Sequence, residues 1–587
     1  MFMKHEAQKQ DTRQIEKMRH SLAHLLASAV MEFWPKTKLA IGPAIENGFY
    51  YDVEIKDLKL EDLEKIEDKM KELIKENQKF IGKKATKAAA KKLFKNQPYK
   101  LEIIKELPGK IVGTYQNENF LDLCKGGHVK NTSEINPNAF KLTKIAGAYW
   151  RGDEKNKMLI RIYGVAFATE KELIDYLKMQ EEAEKRDHRI LGEKLDLFTI
   201  SEKVGRGLPL FTPKGTLLRE LLNDYSQELR AERGWQKVWT PHITKNDLYK
   251  TSGHWEKFGD ELFLVKSRET NDQLVLKPMN CPHHQQIYGS KKRSYKDLPI
   301  KYMETTTVYR DEKAGELLGL SRVRSITQDD SHAFCMPDQI EKVYQELIAI
   351  TKTFYETIGM KIRARLSFRG KDNAKKYLGE PKLWQQSENT LLKIAKENKL
   401  DYFVANGEAA FYGPKIDFMA TDALNREWQL ATPQLDFVQP KRFGLTYIDK
   451  NGKPQTPVIV HFALMGAIER FLSLYIEHTA GNFPLWLSPI QIAIIPISDK
   501  HLNYADIIKK ELEKIGLRVE IKNENETLGK KIREAEMQKI PYLLIVGDKE
   551  IASKKVSIRQ RGKGNLGQIN LKNFIEKIKY QIKNKNG

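Results

Sequence analysis

The stretch that decides the fold begins Lys277-Pro278-Met279-Asn280-Cys281-Pro282 and ends Arg322-Val323-Arg324-Ser325-Ile326-Thr327-Gln328-Asp329-Asp330-Ser331-His332. Between these two ends, Val308-Tyr309-Arg310-Asp311-Glu312 closes a β-type run. The stretch holds a thiol and an imidazole that can share one metal ion. It also holds three arginines that can hold a nucleotide. The first interpretation is therefore a metal-assisted nucleotide site, and the rest of the chain tests it.

The metal hypothesis needs a third ligand. Cys281 and His332 lie far apart in sequence, as catalytic zinc ligands often do, and His461 is the best candidate because it is predicted to end a strand and open onto a helix. One cysteine and two histidines leave a coordination position open for substrate. Such a zinc ion acts as a Lewis acid or as a template for a bidentate ligand. The alternative is a buried thiol beside core or surface histidines.

The nucleotide hypothesis depends on arginines. Arg310 and Glu312 are two residues apart, so they share a face if the strand continues. The guanidinium can hold a phosphate bidentately while the carboxylate meets an amine or the adenine amino group. Arg470 can hold the far phosphates. For each arginine alone, the alternative is a surface ion pair. No Walker-type glycine loop occurs, so a P-loop site is not supported.

A second constellation lies near the N-terminus. His20 and His24, on a helix predicted from about Ile15 to Trp34, are spaced i and i+4 and project from one face. Far downstream comes Cys124-Lys125-Gly126-Gly127-His128. Together, HxxxH and CxxxH supply four ligands suited to zinc or to a water-activating site. The alternative for the histidine pair is a solvated helix surface.

Length and composition narrow the class of protein. A chain of 587 residues predicts three or four domains. Lys+Arg 100 against Asp+Glu 78 gives a net charge of +22, which favours a nucleic-acid partner over a merely solvated basic surface. Three cysteines exclude a disulfide framework and fit a reducing cytosol. The sequence offers no apolar signal core and no membrane span, so a soluble, cytoplasmic protein is expected.

Changes of pattern mark the predicted domains. A strongly charged helix from Thr169 to Ile190 predicts a rigid linker. The lysine-rich stretch from Lys83 to Lys100 predicts a helix with a solvated basic face, RNA contact being the alternative. From Pro489 onward, short strands alternate with helices, which predicts a small α/β domain with a mixed sheet.

These motifs together resemble the class II aminoacyl-tRNA synthetases and, among them, the threonyl-tRNA synthetase family. The resemblance runs from about residue 15 to residue 580. It is specific because separate segments agree in the same order. Those segments are His20-xxx-His24, Cys124-xxx-His128, Asn280-Cys281-Pro282, Tyr309-Arg310-Asp311-Glu312, Arg322-Val323-Arg324, Gln328-Asp329-Asp330-Ser331-His332, Phe411-Tyr412-Gly413-Pro414-Lys415-Ile416-Asp417 and Gly466-Ala467-Ile468-Glu469-Arg470-Phe471.

The resemblance implies an α+β multidomain fold. An α+β editing domain (residues 1–168) and a linker helix (169–190) precede a class II catalytic domain with an antiparallel β-sheet and helices (191–486). An α/β anticodon-binding domain (487–587) follows. The helix Thr216–Gly234 and the strand Gln236–Pro241 resemble motif 1, which builds a homodimer in this family. The family's small N-terminal ubiquitin-like domain has no counterpart in the sequence.

The implied reaction activates L-threonine with ATP to threonyl-adenylate and transfers it to tRNA(Thr). One Zn²⁺ per subunit, on Cys281, His332 and His461, would meet the amino and hydroxyl groups of threonine. Valine lacks the hydroxyl and would leave buried polar groups unmet. Mg²⁺ would bridge ATP oxygens. The family's threonine pocket maps onto Met279, Gln328, Asp330 and Tyr412, and its ATP contacts onto Arg310 (α-phosphate), Arg470 (γ-phosphate), Glu312, Arg322, Gln429 and Gln434.

The resemblance also implies proofreading. Serine keeps the hydroxyl, and a missing methyl is worth only ~1–3 kcal/mol, the general argument for editing by aminoacyl-tRNA synthetases. A second, hydrolytic site is therefore expected to remove serine from Ser-tRNA(Thr), with or without a metal. Its residues map onto His20, His24, Cys124 and His128 around the water, with Asp122 orienting the tRNA 3′ end. Asn525, Glu550 and Arg559 align with the family's anticodon contacts, where exposed bases are read.

Two further hypotheses remain beside the synthetase. One is an RNA-binding paralogue without aminoacylation; the other is a synthetase for proline or serine. The retained Cys281, His332 and His461 argue against both. Three residues depart from the usual family pattern without deleting a ligand: Phe462 where arginine is usual, Ala467 where serine is common, and Gly127 where proline is frequent.

Overall fold

The computed structural model describes residues 2–370 and 376–585, with side chains from residue 13 onward. Its backbone divides into two compact units, Met1–Glu181 and Glu182–Gly587. Within these described ranges, no helix is both long enough and apolar enough to cross a membrane.

The first unit places two antiparallel sheets beside a long helix. The order is β1-β3-β8-β7 in the larger sheet, with β2 also on β3, and β4-β5-β6 in the smaller. One face of α1 buries Leu22, Leu25 and Leu26 in the core against Phe49 and Ile66, because apolar residues three and four apart share a helix face. The helices are α1 (Phe2–Phe33), α2 (Asp62–Lys75), α3 (Lys87–Leu93), α4 (Pro98–Glu106) and α5 (Glu170–Lys185). The strands are β1 (Lys38–Leu39), β2 (Ala44–Ile45), β3 (Gly48–Glu54), β4 (Ile81–Thr86), β5 (Ile111–Asn117), β6 (Phe120–Leu123), β7 (Phe140–Tyr149) and β8 (Met158–Ala166).

The second unit is built on a nine-stranded sheet in the order β11-β15-β16-β24-β21-β19-β17-β18, with β20 also on β19. Its pairs are antiparallel except β11 with β15 and β17 with β18. The helices here are α6 (His188–Lys194), α7 (Pro213–Ala231), α8 (Asp247–Ser252), α9 (His254–Phe258), α10 (Cys281–Gly289), α11 (Ile340–Thr357), α12 (Pro381–Glu397), α13 (Gln439–Arg442) and α14 (Ile468–Thr479). The strands are β9 (Phe198–Thr199), β10 (Leu210–Phe211), β11 (Gln236–Lys237), β12 (Ile243–Lys245), β13 (Leu264–Lys266), β14 (Gln273–Leu276), β15 (Ile300–Tyr309), β16 (Ser325–Cys335), β17 (Lys361–Phe368), β18 (Tyr402–Asn406), β19 (Lys415–Thr421), β20 (Glu427–Gln429), β21 (Thr432–Asp436), β22 (Tyr447–Ile448), β23 (Pro454–Gln455) and β24 (Val458–Ala467).

The same unit ends in a smaller sheet with its own apolar core, in the order β26-β25-β27-β28-β29. Its first three strands are parallel and the last two pairs antiparallel, so the predicted mixed sheet is confirmed. The elements are β25 (Ile492–Pro496), α15 (Leu502–Glu513), β26 (Val519–Ile521), α16 (Leu528–Met537), β27 (Tyr542–Val546), α17 (Asp548–Ser553), β28 (Lys555–Gln560), β29 (Gly564–Asn570) and α18 (Leu571–Lys583).

Three local predictions were wrong. The predicted continuous helix Thr169–Ile190 is two helices, because the Asp187 side chain accepts from the backbone N–H of Arg189 and starts α6. The predicted helix Lys83–Lys100 begins inside strand β4, which pairs along its length with β5, and two short helices follow. His461 does not end a strand; it lies in the middle of β24, which continues to Ala467.

Candidate functional sites

The central cluster is built by two adjacent strands and one helix. His332 on β16 and His461 on β24 are direct cross-strand partners, so their rings meet with centroids 4.7 Å apart. Cys281 is the first residue of α10. The cysteine sulfur and one nitrogen of each histidine lie within 4.8 Å of one another, and all three residues are buried. The structure thus brings together all three residues of the sequence hypothesis.

The chemistry of this cluster fits a bound zinc ion. Thiolate and neutral imidazole are zinc's preferred donors, and three of them leave a position free. Burial lowers the pKa of His332 well below its usual value, which keeps the ring neutral and able to coordinate. Burial also raises the pKa of the Cys281 thiol well above its usual value. A cation in the cluster would reverse that shift, because a coordinating thiol is deprotonated.

The residues mapped to the threonine pocket line the same strand. Gln328, Asp330 and His332 alternate along β16 and therefore share one face. The Gln328 amide oxygen is buried without a hydrogen-bond partner, and a buried acceptor of this kind calls for a ligand. Tyr412 places its ring 5.0 Å from that of His461 and donates its hydroxyl to Gln434 at 2.7 Å.

Two arginines in the second unit lack an anionic partner. Arg310, just past β15, lies over the Phe258 ring at 4.9 Å and places Nη2 3.1 Å from the Met279 sulfur. Its Nε is buried with no hydrogen bond. Burial lowers the pKa of Arg310, and burial followed by repulsion from Arg322 lowers that of Arg470. Among the described residues, no carboxylate forms an ion pair with Arg310 or Arg470, so both sites favour an added anion.

Other mapped ATP residues already bond within the protein. Arg322 holds Glu312 at 2.8 Å and Glu316 at 2.6 Å, so Glu312 serves one arginine before any ligand binds. The expectation that Arg310 and Glu312 share a strand face is wrong, because β15 ends at Tyr309. Gln429 donates to Asp417 at 2.8 Å.

The N-terminal cluster joins one turn of α1 to the loop after β6. His20, His24, Cys124 and His128 place one donor atom each within 4.8 Å of the others. The sulfur of Cys124 lies 3.2 Å from Nε2 of His128 and 3.5 Å from Nε2 of His20. The rings of His20 and His128 stack at 4.1 Å. Gly127 has φ +93°, a conformation that proline cannot adopt.

Asp122 is the buried anion beside this cluster. Tyr51 donates its hydroxyl to one carboxylate oxygen at 2.5 Å, and Lys100 forms an ion pair with the other. Nε2 of His24 lies 3.8 Å from Asp122. An anion this deeply buried is stable only with such partners.

The histidines of the N-terminal cluster are neutral at physiological pH. Burial lowers the pKa of His20, lowers that of His24 well below its usual value and, with repulsion from His24 and His20, brings that of His128 to about 2. Burial raises the pKa of the Cys124 thiol to about 11. The cluster therefore holds neutral imidazoles beside a protonated thiol.

A cavity of about 450 Å³ opens onto the cluster. His20, His24, Lys100, Asp122 and Cys124 contribute to its wall, and Ile41, Pro43, Ile103 and Leu107 make much of the remainder apolar. Neutral imidazoles, one ammonium–carboxylate pair and an apolar wall suit the recognition of a small polar group attached to a larger molecule.

Comparisons with known proteins decide the family. The model of the tRNA synthetase class II core domain (G, H, P, S and T) matches residues 263–479, that of the anticodon binding domain matches 491–581, and that of the threonyl and alanyl tRNA synthetase second additional domain matches 112–163. The chain is 46% identical over 569 residues to the threonine–tRNA ligase of Rubrobacter xylanophilus, covering 96% of this chain and 88% of that protein. It is 47% identical to that of Cytophaga hutchinsonii with the same coverage.

The chain belongs to the threonine–tRNA ligase family. It is a class II aminoacyl-tRNA synthetase that ligates threonine to tRNA using ATP and carries an editing domain, as the resemblance predicted. The solved RNA binding domain of threonyl-tRNA synthetase from Cryptosporidium parvum Iowa II is also similar, with 36% identity and a TM-score of 0.64 over 67% of this chain and 98% of that one.

In this threonine–tRNA ligase family member, the three mapped anticodon residues lie in different elements. Asn525 is exposed between β26 and α16. Glu550 on α17 is buried and accepts from Gln568 at 2.6 Å and from the N–H of Gly547 at 3.0 Å. Arg559 on β28 reaches Glu536 at 3.2 Å. Among the described residues, no hydrogen bond or ion pair joins these three directly.

Sequence reasoning missed several residues that contact the two clusters or the neighbouring Asp122. Lys100 and Tyr51 hold Asp122, while His284 and Asp436 contact the histidines of the central cluster. One signal was available: His284 follows Cys281 by three residues, so both lie on one face of α10. The other three stand in sequence contexts that are typical of solvated or core residues.

Proposed function

We propose that Cys281, His332 and His461 hold one zinc ion with which the enzyme recognises threonine. When bound, zinc would supply coordination positions for the amino and hydroxyl groups of the substrate. The support is the buried, converging donor set together with the unpartnered Gln328 oxygen on the same strand face. Asp330, on that face as well, can accept from the substrate ammonium. Valine, without a hydroxyl, would leave these groups unmet.

For activation, we propose that Arg310 binds the α-phosphate of ATP and Arg470 the γ-phosphate, while Mg²⁺ bound with ATP would neutralise phosphate charge. The threonine carboxylate attacks the α-phosphorus, the bond to the bridging oxygen breaks, and pyrophosphate leaves. Among the described residues, no carboxylate forms an ion pair with either arginine, so their positive charge is available to stabilise the negative charge that develops on the phosphates. Arg322, Gln429 and Gln434 would complete the nucleotide site around Glu312.

For editing, we propose that the N-terminal cavity binds the 3′ end of mischarged Ser-tRNA(Thr) and hydrolyses its ester. A neutral His24 or His128 can accept a proton from the attacking water. The Lys100–Asp122 pair can hold the ribose hydroxyls or the seryl group. The support is the cavity itself, in which neutral bases and a fixed ion pair face an apolar wall.

The proposed partners are tRNA(Thr) and a second copy of the chain. We propose that tRNA(Thr) presents its anticodon to Asn525, Glu550 and Arg559, and that the enzyme is a cytoplasmic homodimer. Trp239, next to β11, is 77% exposed, and a large aromatic side chain left in water beside a sheet edge favours burial by a second copy. Sedimentation should report a dimer for the native chain and a monomer for Trp239→Glu.

ATP–pyrophosphate exchange tests the proposal most directly. Exchange should depend on threonine, proceed to a lesser extent with serine, and be absent with valine. An RNA-binding paralogue would show no threonine-dependent exchange from zinc-loaded protein. A synthetase of the same subclass with another specificity would respond to proline, or to serine above threonine.

A further inference from the structure

Behind the central cluster, a chain of hydrogen bonds leads away from His332. Nδ1 of His332 lies 2.8 Å from Nδ1 of His284, and Nε2 of His284 lies 3.2 Å from a carboxylate oxygen of Glu304. His284 is on α10 and Glu304 is on β15, next to β16. All three side chains are buried.

The direction of each bond follows from what each group can donate. A carboxylate only accepts, so Nε2 of His284 must carry a proton. Nδ1 of His332 faces His284, so Nε2 is the nitrogen of His332 left for a metal. The single N–H of that ring then stands on Nδ1, and Nδ1 of His284 accepts it. The proton between the two histidines then belongs to Nδ1 of His332. This tautomer leaves the lone pair of His332 on Nε2.

Hydrogen bonds fix the Glu304 carboxylate, at the end of this series of hydrogen bonds. Glu304 accepts from the backbone N–H of Thr240 at 2.6 Å and from its hydroxyl at 2.8 Å. The buried ammonium of Lys277 donates to the same hydroxyl at 2.9 Å and to that of Thr306 at 3.0 Å. These hydrogen bonds fix Glu304 in place as the acceptor for Nε2 of His284.

His461 is held in the opposite way. Its Nε2 lies 2.9 Å from a carboxylate oxygen of Asp436. The other Asp436 oxygen accepts from the backbone N–H groups of Val438 and Gln439, at 2.8 and 3.0 Å. The carboxylate accepts from His461 as well, so Nε2 of His461 carries the proton and the lone pair stands on Nδ1.

We infer that His284 with Glu304, and Asp436 separately, are positioning residues that hold the two histidine ligands in opposite tautomers, so that His332 binds the metal through Nε2 and His461 through Nδ1. The inference rests on the zinc site proposed above. Groups that bond the far nitrogen of a metal-binding histidine fix its ring orientation and its tautomer. Here one of the two supports is a second histidine, which passes the effect of Glu304 on to His332.

A crystal structure of the zinc-loaded chain tests the assignment of nitrogens. Zinc should lie on Nε2 of His332 and on Nδ1 of His461. Zinc bound to both rings through the same type of nitrogen would overturn the inference, even though the metal site itself would stand.

Zinc affinity, measured by chelator competition, tests the role of His284. His284→Phe removes the acceptor for His332 and should weaken zinc about 10–100-fold, the usual effect of losing such a support. His284→Asn keeps an oxygen near the position of Nδ1 and should recover much of that loss. His283→Phe is the matched control, because neither ring nitrogen of this adjacent buried histidine has a hydrogen-bond partner among the described residues. Its affinity should match the native chain.

The outcomes separate the two proposals. A native chain that binds neither zinc nor cobalt would refute the metal site. If the native chain binds zinc, and His284→Phe and His283→Phe bind it with equal affinity, the positioning role of His284 is refuted while the metal site stands. The absorption bands of the cobalt-loaded proteins report ligand geometry, and they should shift in His284→Phe and stay unchanged in His283→Phe. Should His284→Phe fail to fold, His284→Asn and the crystal structure decide.

Discussion

The chain carries two clusters of cysteine and histidine, and they are supported differently. In the central cluster, Nδ1 of His332 bonds His284 and Nε2 of His461 bonds Asp436, which leaves the remaining nitrogen of each ring for a metal. In the N-terminal cluster, His20 and His128 stack on each other, and Nδ1 of His24 is buried without a partner.

Two similar sets of cysteine and histidine side chains can therefore differ in whether they are prepared to bind a metal. Metal-binding histidines need the far nitrogen fixed by an acceptor, and the central cluster has such acceptors. The N-terminal cluster also has a protonated thiol and neutral rings, but Nδ1 of His24 has no acceptor among the described residues, and the nearby carboxylate is paired with Lys100. This arrangement favours proton transfer from a bound water to a neutral imidazole over metal binding.

The strongest predicted phenotypes come from replacing the cysteine of each cluster, Cys281 or Cys124. Cys281→Ala should abolish threonine-dependent ATP–pyrophosphate exchange and lower bound zinc, because two histidines alone hold the ion poorly. Cys124→Ala should leave exchange and zinc content unchanged and allow Ser-tRNA to accumulate. Exchange assays, metal analysis and deacylation of Ser-tRNA measure these effects. Exchange that survives in Cys281→Ala would contradict the zinc assignment, and zinc lost from Cys124→Ala would erase the contrast.

The next effect concerns the buried ion pair. Lys100→Met should slow hydrolysis of Ser-tRNA by at least ~100-fold, as expected when a positioned charged group is lost from a catalytic site. It should also destabilise the first unit, since an unpaired buried carboxylate costs about 3–5 kcal/mol. Threonylation should be unaffected. Deacylation assays and thermal unfolding provide the two readouts.

Two controls isolate the charge. Lys105→Met changes an exposed lysine on the same helix and should behave as the native chain. The double variant Lys100→Met with Asp122→Asn removes both charges, so it should regain stability without regaining hydrolysis. If the double variant hydrolyses Ser-tRNA at the rate of the native chain, the Lys100–Asp122 pair has only a structural role.

A third effect is the pH dependence of the first unit. His24 is fully buried and its pKa is lowered well below the usual value, so the unfolded chain binds protons more readily than the folded one. Stability is then complete above about pH 6.5 and is lost as the pH falls, by about 2 kcal/mol between pH 7 and 5 for one such histidine. Hydrogen exchange of α1 at both pH values measures this. The slope should be smaller in His24→Leu, and an equal slope would contradict the assignment to His24.

Sequence alone predicted which residues form the two clusters and that the C-terminal sheet is mixed, because these rest on residue type and spacing. It failed where tertiary pairing decides. Lys100 stands in a lysine-rich stretch, and sequence cannot tell that this lysine turns inward to Asp122 while Lys91, Lys92 and Lys95 face solvent. The strand β4 was read as helix because its pairing with β5, some thirty residues on, overrides local propensity. Asp436 faces His461 only because β21 and β24 are neighbours in the sheet.

The smallest predicted effect concerns Ser21, whose hydroxyl supports His128 in the N-terminal cluster. The buried hydroxyl of Ser21 lies 3.2 Å from Nδ1 of His128 and accepts from the backbone N–H of Val129 at 3.1 Å. Ser21→Ala should cost about 1 kcal/mol of stability and slow Ser-tRNA hydrolysis less than about tenfold, since a neutral hydrogen bond is worth no more.

Ser28→Ala, on the same helix and without a side-chain hydrogen bond among the described contacts, should match the native chain. If Ser21→Ala instead abolished hydrolysis, the hydroxyl would fix His128 as firmly as His284 is inferred to fix His332. In that case the N-terminal cluster would also be organised for a metal, and a chelator should lower the rate of Ser-tRNA deacylation by the native chain. If Ser-tRNA hydrolysis persists in Ser21→Ala and also in the presence of a chelator, editing depends on proton transfer by neutral histidines that are not rigidly held.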